Sequence, residues 1–469
     1  MAILSADGIT FESEVPVIVI GGGASGMAAA LAAKDAGAEV IILERDAIPS
    51  GSTALSSGMI PACGTKIQHE KGINDTVEIM INDIQSKAGG LAEPTILDTV
   101  CRASGPMIDW LVETHDIELT LVEGFLFSKH SELRMHAPPS RTGQDLISDL
   151  TRAAENADIF VMTNARAVDL YVDEDKRIHG VGIERPDGTG EKIGCNALIL
   201  ACNGFAGNPE MVKKYFPEIS GADFIGHPGN QGEAVLWGEK LGAEMRDLEG
   251  YQGHGSIAHP QAILISWSLQ MEGGFQVNTE GHRFSAETDG YSEATVRVLA
   301  QPGRIAWNIY DERLHKMALD LHDYKLAHES GAILTANSIE DLAELTKLPL
   351  DALRKTIKDT NRMKENGETD EFGRDFTGQG KLAPPYYAVK VSGYLSMTQG
   401  GLVVNEDAQV KRQGGGLFPN LYAGGGAACG VSGPNVWGYF SGAGLLCALS
   451  LGRLAGMAAA TTISSPDQG

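Results

Sequence analysis

The clearest pattern in the chain is a short apolar run, then a glycine-rich turn, then a long stretch of small residues. Residues 17–20 are all aliphatic, residues 21–26 contain four glycines, and residues 27–36 are mostly alanine. A second aliphatic run at residues 40–43 ends at the acidic Glu44. Apolar runs of this length favour buried strands, and the alanine-rich stretch favours a helix between them. The pattern predicts a strand–turn–helix–strand unit.

The same unit carries the chemistry needed to bind a dinucleotide. Glycines in the turn permit a tight bend and a close approach of the backbone to a pyrophosphate, and the helix N-terminus offers N–H groups and a partial positive charge. An acid about twenty residues further on accepts hydrogen bonds from a ribose. Gly21, Gly23, Gly26 and Glu44 stand at these positions, so the sequence predicts a dinucleotide site.

The remaining pattern divides the chain into three parts. Up to residue 250, apolar runs alternate with helical segments, which is typical of a largely parallel sheet. Residues 251–383 change to short strands followed by charged helical segments, and small-residue strands return from residue 384 onward. We predict one domain formed by residues 1–250 and 384–469, with a second domain of residues 251–383 inserted into it.

Further elements are predicted inside these parts from the same patterns. The predicted strands are residues 159–162, 168–172, 180–183, 197–205 (ending in a turn), 400–404 and 420–426. The predicted helices are residues 230–243, 338–345 and 351–366. The strands near both ends of the chain are expected to belong to one nucleotide-binding domain.

Composition narrows the class of protein. A chain of 469 residues with 43% hydrophobic positions is long enough for two or three domains. Its net charge of −24 disfavours nucleic acid and anionic membranes as partners. The six cysteines show no CxxC spacing, which disfavours a zinc site, an iron–sulfur cluster or attached haem. We therefore predict no metal site and a reducing cytoplasmic location.

Two stretches of the chain bear on its expected location in the cell. The N-terminal residues show no basic region followed by an apolar core, so no signal peptide is expected. The longest apolar stretch, residues 442–462, contains Arg453 and many small residues. It predicts a buried helix rather than a membrane span.

Four features taken together resemble one family of enzymes. They are the N-terminal unit, the sequence Gly-Ser-Thr-Ala at residues 51–54, the inserted segment, and the returning strand Leu-Tyr-Ala-Gly-Gly at residues 421–425. Along nearly the whole chain, this arrangement resembles the FAD enzymes of the fumarate reductase and 3-ketosteroid Δ1-dehydrogenase superfamily. The resemblance implies an α/β fold, with a discontinuous Rossmann-type FAD-binding domain and an inserted α+β substrate-capping domain. It also implies a flavin ring between the two, with the substrate against its face.

The resemblance further implies how FAD is held. The residues it assigns to FAD binding are Gly21, Gly23, Ala24, Ser25, Gly26, Glu44, Arg45, Gly51, Ser52, Thr53, Gly58, Val168, Asn203, Gly204, Gly425, Gly444 and Leu445. Succinate dehydrogenases carry a histidine for covalent flavin attachment near the loop at residues 52–54. None is present here, so FAD is expected to be bound non-covalently. The family's acid after Ala-Gly is Gly425 in this chain, so one ribitol contact is expected to differ.

The segment from Asn278 to Tyr291 separates the branches of the superfamily. In fumarate reductases the pattern Asn-x-x-Gly-x-Arg-Phe-x-x-Glu is followed by an arginine that delivers a proton during alkene reduction. Counted from Arg283, that position is Tyr291, which is similar to ketosteroid dehydrogenases, where a tyrosine serves as base. Arg283 and Glu287 are interpreted as structural partners that fix the segment. A buried core tyrosine with a satisfied hydroxyl is the alternative for Tyr291.

A second sequence position, Val436, also lacks the arginine that fumarate reductases carry. Fumarate reductases clamp a substrate carboxylate with an arginine after His-Gly-x-Asn, and the corresponding residue is Val436. The run that follows resembles the ketone site of the dehydrogenases, in which Tyr439 and the Gly442 N–H would be the catalytic hydrogen-bond donors. Trp437 and Phe127 are expected to contact the substrate. For Tyr439 and Trp437 the alternative is apolar packing beside the flavin.

These residues are chemically consistent with a desaturase. A ketone acidifies its α-hydrogen only if the enolate oxygen is stabilised, and each preorganised donor is worth about 3–4 kcal/mol. Tyr291, as phenolate, would remove the α-proton with a contribution of roughly 10²–10⁴-fold. The β-hydrogen would leave as hydride to flavin N5. Because a phenol has a reference pKa of about 10, this role requires a neighbour that lowers the pKa.

One residue indicates a carboxylate on the substrate. The stretch around His254 resembles the Phe-x-Gln-x-His-Pro-Thr sequence of succinate and fumarate enzymes, in which the histidine touches a substrate carboxylate. Retention of His254 without either arginine suggests a ketone that also carries a carboxylate, such as an oxocyclohexanecarboxylate. A structural histidine is the alternative. The weaker candidates for anion contacts are Arg134, His136, Arg141 and His259.

The sequence is therefore interpreted as an FAD-dependent dehydrogenase that introduces a C=C bond α,β to the carbonyl of a cyclic ketone or keto acid. One alternative is a fumarate-reductase-like ene-reductase or a tricarballylate-type carboxylate dehydrogenase. Another is a flavin-binding protein without turnover. Since the sequence shows no haem or iron–sulfur motif, a separate and unidentified electron acceptor is expected.

Overall fold

The computed structural model of the protein describes residues 1–124 and 126–464. The chain forms two compact units. The first unit comprises Met1–Tyr215, Gly226–Tyr251 and the residues from Met397 onward, and the second comprises Phe216–Ile225 and Gln252–Ser396.

Strands and helices cover most of the described residues. The strands are β1 (Ala2–Ser5), β2 (Ser13–Ile20), β3 (Val40–Leu43), β4 (Ile60–Pro61), β5 (Thr120–Leu121), β6 (Met135–Ala137), β7 (Phe160–Met162), β8 (Arg166–Val172), β9 (Ile178–Glu184), β10 (Gly190–Leu200), β11 (Asp223–Phe224), β12 (Met245–Arg246), β13 (Tyr251–Ala258), β14 (Ile263–Leu264), β15 (Phe275–Val277), β16 (Ile305–Asp311), β17 (Ile333–Ala336), β18 (Tyr386–Thr398), β19 (Gly401–Leu402), β20 (Gln409–Lys411) and β21 (Leu417–Ala423). The α-helices are α1 (Ala24–Asp35), α2 (Gly51–Ala54), α3 (Lys66–Glu70), α4 (Val77–Lys87), α5 (Pro94–Glu113), α6 (Gly143–Asn156), α7 (Pro209–Tyr215), α8 (Glu233–Leu241), α9 (Ser268–Met271), α10 (Tyr291–Leu299), α11 (Glu312–Ala318), α12 (His322–Glu329), α13 (Ile339–Thr346), α14 (Leu350–Asn366) and α15 (Ala443–Ser464).

The first unit is built on a nine-stranded sheet. Its strand order is β1–β8–β9–β10–β2–β3–β7, and in addition β21 pairs with β10 and β20 pairs with β21. Parallel pairing joins β10 to β2, β2 to β3 and β3 to β7. The aliphatic runs at residues 17–20 and 40–43 lie in β2 and β3 and are buried, as their uniform apolar character predicts. The mixed α/β class predicted from the sequence is confirmed.

Helix α15 packs along α1 within the first unit. A Cβ on Gly452 would lie 2.4 Å from the Ser25 carbonyl oxygen, and one on Gly456 would lie 2.0 Å from the Ala29 carbonyl oxygen. By length and composition α15 qualifies as a membrane span, but 67% of its most apolar window is buried inside the protein. Such burial is typical of a core helix and agrees with the helix predicted for residues 442–462.

The second unit is built on a seven-stranded sheet with β18 at its centre. Strand β18 pairs with β16 and β17 antiparallel and with β11 parallel, and it lies next to β13. The inserted domain predicted from the sequence, residues 251–383, ends before this strand begins, whereas the second unit extends to Ser396. The difference arises because an apolar strand does not reveal in sequence which sheet it joins.

Candidate active site

The turn between β2 and α1 requires its glycines. Gly21 has a φ of +108°, and a Cβ there would lie 2.5 Å from the Ala201 carbonyl oxygen. At Gly26 a Cβ would lie 1.8 Å from the Gly21 carbonyl oxygen. Distances this short exclude any side chain. The turn therefore has the close backbone packing that a dinucleotide-binding motif needs.

Polar groups around the start of α1 are suited to an anion. The Ala24 N–H donates to Thr53 Oγ1 at 2.9 Å and so fixes the loop at α2 against the helix start. The Ser25 hydroxyl is buried and has no hydrogen-bond partner among the described residues. A buried hydroxyl without a partner costs free energy unless a ligand or water satisfies it. A pyrophosphate at the helix N-terminus would supply the missing acceptor.

Glu44 is held in place by backbone groups. Its Oε2 accepts from the Gly22 N–H at 2.8 Å, and its Oε1 accepts from the Asp46 N–H at 2.9 Å. Each carboxylate oxygen keeps acceptor capacity, which suits the hydroxyls of a ribose. The neighbouring Arg45 donates to the Gly229 carbonyl oxygen at 3.1 Å, so its guanidinium braces a loop of the same unit.

Ser52 is held by two side-chain amides. Its Oγ accepts from Asn203 Nδ2 at 3.1 Å and from Asn230 Nδ2 at 3.0 Å. With both lone pairs occupied, the Ser52 hydroxyl proton is left to be donated to a third group, such as a phosphate oxygen. Asn203 has a φ of +65°, and its Oδ1 accepts from the Gly204 N–H at 2.8 Å. Asn230 was not identified from the sequence.

The other residues assigned to FAD fall into two sets. A Cβ on Gly51 would lie 3.8 Å from Gly23 Cα, and one on Gly425 would lie 3.2 Å from Ser25 Cβ, so these two glycines approach the turn. The remaining residues stand elsewhere in the first unit: Gly58 at a positive-φ turn, Val168 at an irregularity in β8, and Gly444 and Leu445 in the first turn of α15. Their contacts with FAD stay predictions.

Buried ion pairs in the second unit anchor the segment that leads to Tyr291. Glu287 is 1% exposed and lies 2.6 Å from Arg283 Nη2 and 2.7 Å from Arg374 Nη1. Arg283 also pairs with Asp370 at 2.6 Å. Burial alone would raise the pKa of Glu287, but the two arginines outweigh it and lower the pKa to about 2. Arg283 and Glu287 are structural partners as predicted, and Arg374 completes the cluster.

Helix α10 begins at Tyr291 and approaches β13 through glycines. A Cβ on Gly253 would lie 2.3 Å from Thr295 Oγ1, and one on Gly255 would lie 2.4 Å from the Ala294 backbone carbon. Both positions therefore exclude larger residues as long as the helix stays in place. The two glycines thus determine where the first residue of α10 lies relative to the strand.

His254 on β13 stacks on Tyr291. The ring centroids are 4.8 Å apart with an interplanar angle of 25°. Burial lowers the pKa of His254 to about 3, so the ring is neutral near pH 7. The Ser256 N–H donates to His254 Nδ1 at 3.2 Å, which leaves the proton of the neutral ring on Nε2. His254 is therefore a neutral hydrogen-bond donor and not a cation.

The residues predicted to hold a ketone lie in the first unit just before α15. Gly442 has a φ of +81°, and a Cβ there would lie 2.6 Å from Pro61 Cδ and 3.3 Å from Met135 Cε. Tyr439 is buried, whereas Trp437 is 45% exposed. Gly442 is thus a required glycine, and the exposure of Trp437 leaves its substrate contact a prediction.

A loop of the first unit packs against this segment. Phe127 is partly buried and contacts a small cluster that includes Met135. His130 stacks on Phe440 with centroids 3.9 Å apart and an angle of 19°. Burial and the charge of Arg134 lower the pKa of His130 to about 3. His130 was not identified from the sequence, because a single histidine in a loop carries no spacing signal.

Three of the weaker candidates for anion contacts, Arg134, His136 and His259, have protein partners. Arg134 donates to Asp75 through Nε and Nη2, both at 2.9 Å, in a fully buried pair. His136 Nδ1 lies 2.9 Å from the Arg134 carbonyl oxygen, and burial lowers its pKa to about 4. His259 Nδ1 lies 3.3 Å from the Tyr394 hydroxyl. These contacts support structural roles.

Among residues 1–124 and 126–464, no group of three or more His, Cys, Asp or Glu side chains is arranged to hold a metal ion. The six cysteines are free thiols.

Comparison with known proteins identifies the family. A family model described as an FAD binding domain matches residues 16–445. The chain belongs to this FAD-binding family. A probable fumarate reductase of Shewanella frigidimarina (strain NCIMB 400) is 30% identical to this FAD-binding protein over 442 residues, which cover 94% of this chain and 74% of that protein.

Two solved structures share the fold of this FAD-binding protein. The open conformation of a flavocytochrome c3 fumarate reductase matches with a TM-score of 0.82 and 28% identity, covering 97% of this chain and 79% of that one. A 3-ketosteroid-Δ4-(5α)-dehydrogenase from Rhodococcus jostii, in complex with 4-androstene-3,17-dione, matches with a TM-score of 0.76. Its identity is 23% over 97% of this chain and 99% of that one, so this likeness shows the fold alone.

The protein is an FAD-dependent oxidoreductase. The predicted superfamily, fold class and cofactor are confirmed by the family match and by the relatives. The residues of the first unit fit this cofactor, since the unsatisfied Ser25 hydroxyl, the Ser52 hydroxyl proton and the Glu44 carboxylate match the phosphate and ribose groups of a dinucleotide.

Proposed function

We propose that this FAD-binding protein is a dehydrogenase that introduces a carbon–carbon double bond α,β to the carbonyl group of a cyclic ketone. The observation that carries the proposal is the environment of Tyr291, a phenol stacked on the neutral His254. Fumarate reductases carry a proton-delivering arginine at the corresponding position. Reduction of a dicarboxylate requires positive charge near the substrate, whereas a phenol whose pKa is lowered can remove a proton from a neutral ketone.

The arginines nearest to Tyr291 in sequence are engaged by carboxylates, which supports the proposal. Arg283 is bound by Glu287, and Arg297 lies 2.5 Å from Asp289. A guanidinium paired in this way has donors occupied and its charge balanced. The chemistry proposed for this segment therefore belongs to the phenol.

Activation of the ketone is assigned to Tyr439 and the Gly442 N–H. Their hydrogen bonds would stabilise negative charge on the enolate oxygen, with each preorganised donor contributing about 3–4 kcal/mol. Tyr291, as phenolate, would then remove the α-proton. FAD, when bound, supplies the acceptor for the two electrons that leave with the β-hydrogen. Because residues 52–54 include no histidine, we propose that FAD is bound non-covalently.

The neutral state of His254 narrows the class of substrate. A carboxylate beside His254 would gain a hydrogen bond but no opposite charge, whereas a carbonyl or hydroxyl oxygen gains the same bond without burying a charge. We therefore propose uncharged cyclic ketones as the preferred substrates and keto acids such as an oxocyclohexanecarboxylate as the weaker class. An electron acceptor outside the chain and a cytoplasmic location belong to the same proposal.

Removing one hydroxyl tests the role of Tyr291. Tyr291→Phe keeps the ring that stacks on His254 but cannot accept a proton. FAD content and ketone binding should be unchanged, while flavin reduction by a cyclohexanone-type substrate should slow by roughly 10²-fold or more. The rate is measured by anaerobic rapid mixing. Tyr394→Phe removes a buried hydroxyl of the same unit and serves as the control. Near-normal reduction in Tyr291→Phe would exclude the phenol from the chemistry.

A second candidate function is the reduction of an α,β-unsaturated carboxylate. It is favoured by the 30% identity to the probable fumarate reductase over 94% of the chain. In this direction Tyr291 would donate a proton instead of removing one. Reoxidation of the chemically reduced protein by fumarate would support this function, and failure of fumarate and related enoates to reoxidise it would exclude it.

A further inference from the structure

Three buried polar side chains of the second unit form a connected chain that the proposed mechanism does not use. Gln276 Nε2 donates to Asn308 Oδ1 at 3.0 Å, and Asn308 Nδ2 donates to Ser256 Oγ at 2.8 Å. All three side chains are almost fully buried. Along this chain each amide nitrogen donates to the next residue.

This chain ends at the peptide that orients His254. Gln276 Nε2 also donates to the Gly255 carbonyl oxygen at 2.9 Å. Asn308 donates to the Ser256 hydroxyl, and the Ser256 backbone N–H donates to His254 Nδ1 at 3.2 Å. The Gly255–Ser256 peptide is therefore held on both sides by side chains. Its Ser256 N–H decides which nitrogen of His254 acts as the acceptor.

The other end of the chain is attached to the buried ion pairs. The Gln276 N–H donates to Glu287 Oε1 at 3.0 Å, and Glu287 is bound by Arg283 and Arg374. Turning the Asn308 amide around would place its donor against the Gln276 Nε2 donor, whereas the Ser256 hydroxyl at the other end could donate to the reversed amide oxygen. The arrangement thus resists reversal from the Gln276 end, where the Gly255 carbonyl oxygen accepts from Gln276 Nε2 and fixes the direction of that amide.

We propose that Asn308 and Gln276 are positioning residues that hold His254 in a single neutral tautomer, with the proton on Nε2. Partners outside the reacting groups often fix the tautomer of a histidine in this way. Without Asn308, the Ser256 hydroxyl loses its donor and Gln276 Nε2 loses one of its two acceptors, so the Gly255–Ser256 segment relaxes. Both tautomers of His254 then become populated. The inference rests on the proposed function only in assigning His254 a contact with the substrate.

The tautomer can be observed directly in the holoprotein. Two-bond ¹H–¹⁵N correlation spectra of protein labelled with ¹⁵N-histidine distinguish the two neutral tautomers, and the signals lost in His254→Gln assign His254. We expect one Nε2–H tautomer in the unsubstituted protein from about pH 5 to pH 8. In Asn308→Ala we expect a second set of His254 signals or shifts averaged between the two tautomers.

A matched control separates positioning from general loss of stability. Asn361 is an asparagine of the same unit whose amide uses both its oxygen and its nitrogen, because it accepts from the Leu382 N–H at 2.8 Å and donates to the Leu382 carbonyl oxygen at 2.9 Å. Asn361→Ala should leave the His254 signals unchanged even if it lowers the melting temperature as much as Asn308→Ala. Should Asn308→Ala not fold, Asn308→Ser provides the same comparison.

The results that would overturn the positioning role differ from the results that would overturn the proposed function. A single Nε2–H tautomer in the folded Asn308 variant, or equal changes in Asn361→Ala, would overturn the positioning role. Loss of the proposed function would appear instead as no flavin reduction by any cyclic ketone in the unsubstituted protein. If both proposals hold, Asn308→Ala should raise KM for the ketone more than Asn361→Ala does.

Discussion

At the scale of single residues, His254 illustrates how burial changes the role that a motif suggests. Its surrounding sequence resembles a stretch in which a histidine touches a carboxylate. In the structure, burial lowers the pKa of His254 to about 3, and Nδ1 accepts a hydrogen bond from Ser256. The sequence identifies the residue, but its charge depends on neighbours that only the fold supplies.

Because His254 is assigned as a neutral hydrogen-bond donor, we expect a specific order of activity among its variants. His254→Gln keeps an N–H donor and should retain more activity than His254→Ala, which should lower kcat/KM by about tenfold, the loss of one hydrogen bond. The loss should be similar for a neutral ketone and its carboxylated analogue. Steady-state kinetics measure both. A carboxylate-specific loss, together with a pH inflection near 6 to 7 that disappears in His254→Gln, would contradict the neutral state.

Candidate site residues could be predicted from the sequence pattern only where their spacing along the chain is fixed. The glycine turn and Glu44 follow from the spacing of a known unit. Asn230 contacts Ser52 from 178 residues away, and Arg374 contacts Glu287 from 87 residues away. Such long-range partners carry no local pattern, so they could be found only in the structure.

At the scale of elements, the position of α10 depends on the absence of side chains on β13. Gly255→Ala would place a Cβ 2.4 Å from the Ala294 backbone, so α10 must shift. We expect a loss of about 1–3 kcal/mol in the free energy of unfolding and a lower rate of flavin reduction, because Tyr291 moves with the helix. Thermal melts and rapid mixing measure these effects.

Gly380 provides the control for this change. It lies in the same unit, and a Cβ there would meet Arg313 at an ordinary 3.6 Å. Gly380→Ala should therefore leave both stability and flavin reduction close to normal. If Gly255→Ala also behaves normally, the close approach does not determine the position of Tyr291.

Elements whose hydrophobic and polar residues follow one regular pattern could be predicted from the sequence. Elements with a mixed pattern could not. Strand β3 and helix α14 were predicted close to their observed bounds, whereas the run predicted at residues 17–20 is only the second half of β2. Helix α10 was not predicted, because β-branched residues such as Thr295, Val296 and Val298 weaken helix propensity. The sheet to which β18 belongs depends on pairing with β16 and β17, which no local pattern reveals.

At the scale of the whole molecule, the buried ion pairs of Glu287 should govern acid stability. The pKa of Glu287 lies at about 2 in the folded protein against an ordinary value of 4.5. Its contribution is therefore complete above pH 4.5 and is lost as the pH falls toward 2. Glu287→Gln leaves Arg374 without its charge partner and should lower the free energy of unfolding by about 3–5 kcal/mol near pH 7.

Denaturation measured from pH 7 to pH 3 tests this expectation. The stability difference between the unsubstituted protein and Glu287→Gln should shrink as the pH falls. Lys355→Ala removes an exposed pair with Asp359 and should leave the melting temperature unchanged. A difference that stays constant down to pH 3 would show that the charge of Glu287 does not stabilise the fold.

The direction of electron flow in the purified holoprotein distinguishes a ketone dehydrogenase from an alkene reductase most directly. Under anaerobic conditions, we predict that an uncharged cyclic ketone bleaches the oxidised flavin and yields the corresponding enone. Fumarate should leave the reduced protein reduced. Rapid reoxidation of the reduced protein by fumarate, with no bleaching by any cyclic ketone, would contradict the assignment of Tyr291 as a base.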